Sequence, residues 1–412
     1  MSFVAQDKKK GFIWQAVATP IATLLHVYVV FLWRFPRTSP PRMKSKRNLI
    51  RTLHTLGLAG LFLLSCEPFV TDFRGIEGAI LYESSSKTNI QNSPDSLLVM
   101  TWNVRFGAAR IPWFGDSCGD RVIMTNSEVI AHLENIANYI NNVQPDILLL
   151  QEVDVESKRS GYIDQVQWFL DNTYFNYGAY ASMWQAQFIP SDGLGRVDAG
   201  NAILSRWEIT DAERIQLPLR TDQDGLTQYF YLRRNILKTR IDVPNRDFYA
   251  VCTHTTAFAT DDTKQKHIEM FYETISSIDT NAVFIAGGDL NSVPPESTTD
   301  YCMSDICSGE SFHQAGDDPE HKEGSYFNNF TEEPLLLQSL YNEYYSAIEP
   351  ESANSTGHFT HSPWNTESNN TTYWDRKLDY MFSSNSLSGG MTHQSANQLS
   401  DHAPVSAVLG LP

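Results

Sequence analysis

Basic residues are scarce where this chain would fold. Ten of its 31 lysines and arginines lie in residues 1–66, beside a single acid, Asp7, which leaves 21 basic and 47 acidic residues after position 66, a net charge of −26. A body this acidic repels polyanions at long range, which excludes a dedicated DNA-backbone binder. It does not exclude an enzyme whose bound cations offset the field locally. Cysteine is also sparse, with five in 412 residues. There is no CxxC pair and no Cys/His spacing suited to zinc, so a zinc module is excluded, and five cysteines fit export without demanding a disulfide scaffold. No internal repeat is found. What is abundant is apolar and aromatic matter, 42% and 12% of the residues, enough for a large globular core and too much for a disordered chain.

The N-terminus carries two apolar stretches. The first, "GFIWQAVATPIATLLHVYVVFLW" (11–33), holds no charged residue and is long enough to span a bilayer, though Pro20, Gln15 and His26 weaken it. The second runs from Leu53 to Ser65 and follows "MKSKRNLIR". A basic segment, a short apolar segment and small residues at the end have the form of a secretory signal. Its close, "LLSC", resembles the lipobox of bacterial lipoproteins, in which the cysteine, here Cys66, is lipidated. The reading is therefore an upstream mis-call or separate membrane segment over 1–42, with Met43 as the true start. A signal follows over 43–65, a flexible tether over 66–96, and a folded domain over 97–412 with an insertion at about 304–375. Either apolar stretch exports the body and holds it at a membrane: a cell-envelope lipoprotein, or failing that a secreted protein. Cys302 and Cys307 are close enough in sequence to pair, whereas Cys252 lies in an apolar run and reads as a buried thiol.

The domain opens on "LLVMTWNV" (97–104), a run of strand length. In "SEVIAHLENIANYINNVQ", Val129 or Ile130, Leu133, Ile136 or Ala137 and Ile140 recur at helical spacing, and "PDILLLQEV" follows as a buried strand. Strand, helix, strand is the opening of an α/β layer. Further strands are expected at 200–209, 246–254, 281–289, 376–384 and 403–411. An amphipathic helix lies between the second and third of these, N-capped by Asp261 or Asp262, and a short helix is expected near 335–346.

Polar residues stand at the ends of these runs: Asn103, Glu152, His254, Asp289 with Asn291 just beyond, Asp379 inside "KLDYMF", then Asp401 and His402. Sites in α/β layers gather at strand ends. Singly, each has a bland reading: a turn cap, a solvated strand end, a core histidine, or Asp379 pairing with Arg376 or Lys377. Their joint appearance in order is what those readings leave unexplained.

"TWNVRFG", "PDILLLQEVD", "GNAILSRWEI", "THTTAF", "GGDLNSVP", "RKLDYMF" and "LSDHAPV" together resemble the ordered motifs of the endonuclease/exonuclease/phosphatase superfamily, across about 97–411. The resemblance implies a four-layer α/β sandwich, two mixed β-sheets flanked by helices, with the site at one end. It implies that Glu152 binds a divalent metal, usually Mg²⁺ (Mn²⁺ and Ca²⁺ are the alternatives), with Asn103 beside it and Asp401 at a second metal position. Asp289 handles the attacking water, Asn291 holds a phosphoryl oxygen, His402 contacts the phosphate and Asp379 orients His402. His254 matches the additional histidine of the deoxyribonuclease and sphingomyelinase branches, which assists the leaving group. The expected reaction is direct hydrolysis of a phosphodiester, or of a phosphomonoester, by a monomer with no organic cofactor. A secreted nuclease taking nucleic acid as substrate and a non-catalytic binding module on the same fold are the alternatives. "TTAF" after His254 and the 304–375 insertion depart from the family pattern and leave the substrate open.

Overall fold

The computed structural model describes residues 69–88, 90, 93–115, 119–257, 259, 261–297, 333–362 and 374–412. The expected membrane segment, signal, Cys66, Cys118 and the Cys302–Cys307 pair lie outside them. Among the described residues no helix is long and apolar enough to cross a membrane.

In chain order the elements are β1 (Ile76–Gly78), β2 (Ile80–Glu83), β3 (Ser96–Asn103), α1 (Asn126–Val143), β4 (Ile147–Asp154), α2 (Gln165–Asn172), β5 (Tyr177–Ile189), β6 (Gly195–Ser205) and β7 (Ile209–Gln216). They continue with α3 (Gly225–Phe230), β8 (Asn235–Ile241), β9 (Phe248–His254), α4 (Thr263–Ser276), β10 (Val283–Asp289), α5 (Gln338–Glu343), β11 (Tyr345–Ser346), α6 (Pro350–Ala353), β12 (Asp379–Ser383), β13 (Leu387–Thr392) and β14 (Val405–Gly410). The strands form two seven-stranded mixed sheets, ordered β13-β14-β3-β4-β6-β5-β2 and β1-β7-β8-β9-β10-β12-β11.

Period-two alternation explains why the central runs are apolar throughout. On β3 and β4, Leu97, Val99, Ile147 and Leu149 point between the sheets and meet Ala250, Cys252 and Ile285 of the other sheet. Met100, Trp102, Leu148 and Leu150 point outward under α1 and α2. On β10, Phe284 and Ala286 lie beneath α4 and α5. Helices cover both outer faces, so the strands keep no polar side. α1 starts at a capping box, where Glu128 N–H donates to Thr125 Oγ1 and Thr125 N–H donates to Glu128 Oε2. It buries Val129, Leu133, Ile136, Ala137 and Ile140, the larger of these worth roughly 1.5–3 kcal/mol each. At the start of α4, Asp262 occupies the cap position without a side-chain bond, while the Asp261 carboxylate accepts from Thr263 N–H at 3.0 Å. Cys252 is a buried free thiol.

Three expectations change. Residues 66–96 are more than a tether. Val70 is buried against Ala186, β1 pairs with β7, and β2 pairs with β5. The run 200–209 is not one strand: β6 ends at Ser205 and β7 starts at Ile209, heading into the other sheet. The described part of the 304–375 insertion is not only surface loop, because β11 pairs with β12 and α5 packs on Phe382.

The two central parallel pairs, β3–β4 and β9–β10, end at the same pole. Asp289 is in register with His254 on one side and with Asp379 on the antiparallel β12 on the other. Gly287 and Gly288 make room for neighbouring strands. A Cβ would lie 2.1 Å from Tyr380 O at Gly287, and 1.9 Å from Thr253 O at Gly288, where φ is +138°. We therefore expect Gly288→Ala to lose at least about 3 kcal/mol of stability. A thermal melt within a degree or two of the parent would refute this reading of the strand packing.

Candidate active site

All eight expected residues converge on this pole. Asp289 is at the centre, buried, with Asn103 Nδ2 donating to its Oδ2 at 3.0 Å, His254 Nε2 at 3.3 Å and His402 Nε2 at 3.6 Å. Its other oxygen, Oδ1, accepts the Asn291 N–H at 3.0 Å. Asn103 spans the cleft, donating also to Glu152 Oε1 at 3.1 Å. The bond to Asp289 ties one sheet to the other.

Backbone irregularities aim these groups. Strict alternation would turn Glu152 outward with Leu150. Instead the β4–β6 register slips between Leu150 and Val153, and Glu152 adopts φ +56°. The bulge brings its carboxylate into the cleft, 3.9 Å from His254 Nδ1. Asn291 (φ +45°), Arg105 (φ +47°) and Phe106 (φ +43°) also sit in the left-handed region beside the site, a clustering of strain typical of functional positions.

The environment separates the histidines. Burial opposes a charge on His402, but the carboxylates of Asp379 and Asp289 overcome it and raise its pKa to about 10. The Asp379 contact is His402 Nδ1 to Oδ2 at 2.8 Å. His254 is driven well below the ordinary histidine value by burial, with the Arg234 and His402 charges adding to it, and is neutral. Burial lifts Asp289 well above the usual carboxylate range, with Asp379 adding to this and His402 opposing it. Glu152 is raised by burial and by the charge of Asp401.

Two carboxylates repelling one another in a cleft call for a cation. Glu152 accepts one hydrogen bond among the described residues, from Asn103, and keeps lone pairs for a hard ion. Asp401 is already engaged: its Oδ2 lies 3.1 Å from Arg105 Nε, and burial is outweighed by the charges of Arg105, His402 and His361, which hold it at about 2. Ligand-capable atoms of Asp289, Asp379 and His402 lie within 4.8 Å of one another, as do those of His361, Asp401 and His402.

Several neighbours were not singled out from the sequence. His361 pairs by backbone with His402, its ring 5.1 Å from the His402 ring, and its Nδ1 lies 3.5 Å from Asp375 Oδ1. Arg376 pairs with Asp375 at 2.6 Å rather than with Asp379, and Lys377 Nζ donates to the Asp379 carbonyl. Arg234 donates to the His254 carbonyl at 3.1 Å. Arg105 lies inside "TWNVRFG", and the Asp–Arg pair lies just ahead of "KLDYMF", so both were visible as flanks of motifs.

Replacing Asp379 by Asn removes the main source of His402's raised pKa, so that pKa should fall by about 1–3 units. Imidazole NMR titration of the two chains tests this, and an unchanged His402 pKa would show that Asp379 does not hold it.

No curated protein matches the chain. Among solved structures, an endonuclease/exonuclease/phosphatase from Beutenbergia cavernae shares 18% identity, covers 77% of this chain and 72% of its own, and superposes with a TM-score of 0.50. A Bacteroides vulgatus protein of the same description shares 13% identity, covers 77% of this chain and 99% of its own, with a TM-score of 0.45. An AP endonuclease from Archaeoglobus fulgidus shares 13%, covers 76% and 100%, with a TM-score of 0.44. The likeness to the first of these is one of fold: two mixed sheets between helices. The family model described as Endonuclease/Exonuclease/phosphatase matches residues 100–402, and the chain belongs to that family.

Proposed function

We propose that the chain is a divalent-metal-dependent phosphodiesterase that cleaves by direct attack of water. The observation that supports this best is the Asp289 carboxylate, held between a neutral and a cationic histidine. Glu152, with Asn103 beside it and Asp401 as a second position, would hold the cation, with Mg²⁺ the first choice. Such a cation, when bound there, would neutralise charge developing on the phosphoryl oxygens. Asp289, with its basicity increased by burial, takes a proton from water. His402, kept protonated by Asp379, contacts a phosphoryl oxygen and stabilises its charge. Asn291 has given one amide N–H to the Thr255 carbonyl at 3.0 Å and offers the other to the phosphate. His254 faces the leaving group. His254, placed to assist a leaving group, favours a diester, and the acidic body argues against duplex DNA as substrate. The body is held at a membrane through Cys66 or residues 11–33.

The full chain should hydrolyse bis-p-nitrophenyl phosphate with Mg²⁺ and stop with chelator, and Asp289→Asn should lower kcat by about 10²–10⁴-fold. No turnover, or turnover indifferent to Asp289→Asn, would sink the reading. Cys66→Ala should release the protein from membranes, and retention would move the anchor to residues 11–33.

A further inference from the structure

The chain enters the domain at the catalytic pole. Thr71 N–H donates to Gln185 O and Gln187 N–H donates to Phe69 O, both at 2.8 Å, so residues 69–71 extend along the last part of β5. On β5, Ser182 is level with Gly200 of β6, and Gly200 is level with Val153, the residue after Glu152. Gln185 to Gln187 continue past that level in the same direction. Asp72 Oδ1 then lies 3.7 Å from Arg233 Nε, and the next residue, Arg234, donates to the His254 carbonyl.

The same pole carries exposed apolar side chains. Phe69 (54% exposed) and Phe188 (49%) flank the entry pairing, Leu226 (71%) lies on α3, and Tyr162 (56%) follows β4. α3 is fixed to β5 by Trp184 Nε1 donating to Phe230 O at 2.8 Å. At the opposite pole, among the described residues, no exposed large apolar side chain lies on 205–209 or 241–248, the links that leave β6 and β8 there. Exposed apolar side chains occur elsewhere too, Tyr345 (55%) on β11 and Val408 (36%) on β14 among them, and such single exposures are ordinary; the four named above share the pole at which the chain enters.

We infer that the catalytic pole is the membrane-facing surface of the domain, seated on a zwitterionic bilayer by Phe69, Phe188, Leu226 and Tyr162, so that the substrate phosphodiester is presented at the lipid surface. This rests on the phosphodiesterase reading for its substrate. The occupant follows from the page: an uncharged stretch, 11–33, and a second apolar stretch, 53–65, precede an entry point beside the site. The strongly negative body would be repelled by anionic lipid.

Hydrogen exchange of the full chain on phosphatidylcholine vesicles should show slowed exchange over 184–190 and 225–230 and none over 205–209 or 241–248. Protection at the opposite pole, at neither pole, or no vesicle association overturns the inference. Because Cys66 or residues 11–33 still hold the chain on the vesicle, the double variant Phe188→Asp with Leu226→Asp should speed exchange over 184–190 and 225–230 on the vesicle roughly tenfold or more. It should leave turnover of soluble bis-p-nitrophenyl phosphate and the melting temperature unchanged. Phe188→Ser with Leu226→Ser serves if the aspartates impair folding, and undiminished vesicle protection over 184–190 and 225–230 in a folded double variant overturns the proposal. Absence of soluble turnover in the parent chain refutes the phosphodiesterase reading instead, while the exchange pattern still decides which pole meets the bilayer.

Discussion

The sharing of one buried carboxylate orders everything around it. Asp289 takes contacts from Asn103 of one sheet, His254 of the neighbouring strand and His402 of the last turn before β14. Withdrawing a carboxylate from water costs several kcal/mol unless partners replace the lost hydration. Those partners come from three separate stretches of sequence, so the two sheets must close, in register, before the charge is satisfied. Both central parallel pairs end here, and β12 begins here, because only that topology brings the donors to one point.

Around this centre the structure builds in graded protonation. Asp379 sits across from Asp289 in the ladder and holds His402 cationic. A second pair, Asp375 with His361, stands behind it, but there the Arg376 guanidinium grips the carboxylate from 2.6 Å, and burial lowers the pKa of His361. His254, buried and further pressed by Arg234 and His402, is neutral. Three imidazoles around one cleft thus differ in charge because their neighbours differ, which is how one pocket can stabilise an anion and leave a proton donor or acceptor at the other side.

The strands that bear the site were legible because both of their faces are buried, which leaves unbroken apolar runs such as "ILLL" and "VFIA". β5 was not: "YGAYASMWQAQF" mixes small and polar residues, some of which serve the ladder and the Asp198 network. β1 and β2 are three and four residues long, too short for alternation to show beside "ESSSKTN". The identity of Glu152 was readable, but its turn into the cleft was not, because a bulge depends on the partner strand. His361 was hidden in a stretch read as insertion. Only the folded backbone, which pairs it with His402, reveals it.

The left-handed backbone at Glu152 carries an evolutionary consequence. A side chain held there costs on the order of 1–3 kcal/mol, which glycine would recover. Glycine at this position would abolish the carboxylate and its hydrogen bond to Asn103, yet leave a chain that folds more readily. Drift toward a sturdier, silent descendant is therefore downhill in stability, and only selection on what the carboxylate does keeps the strained residue in place.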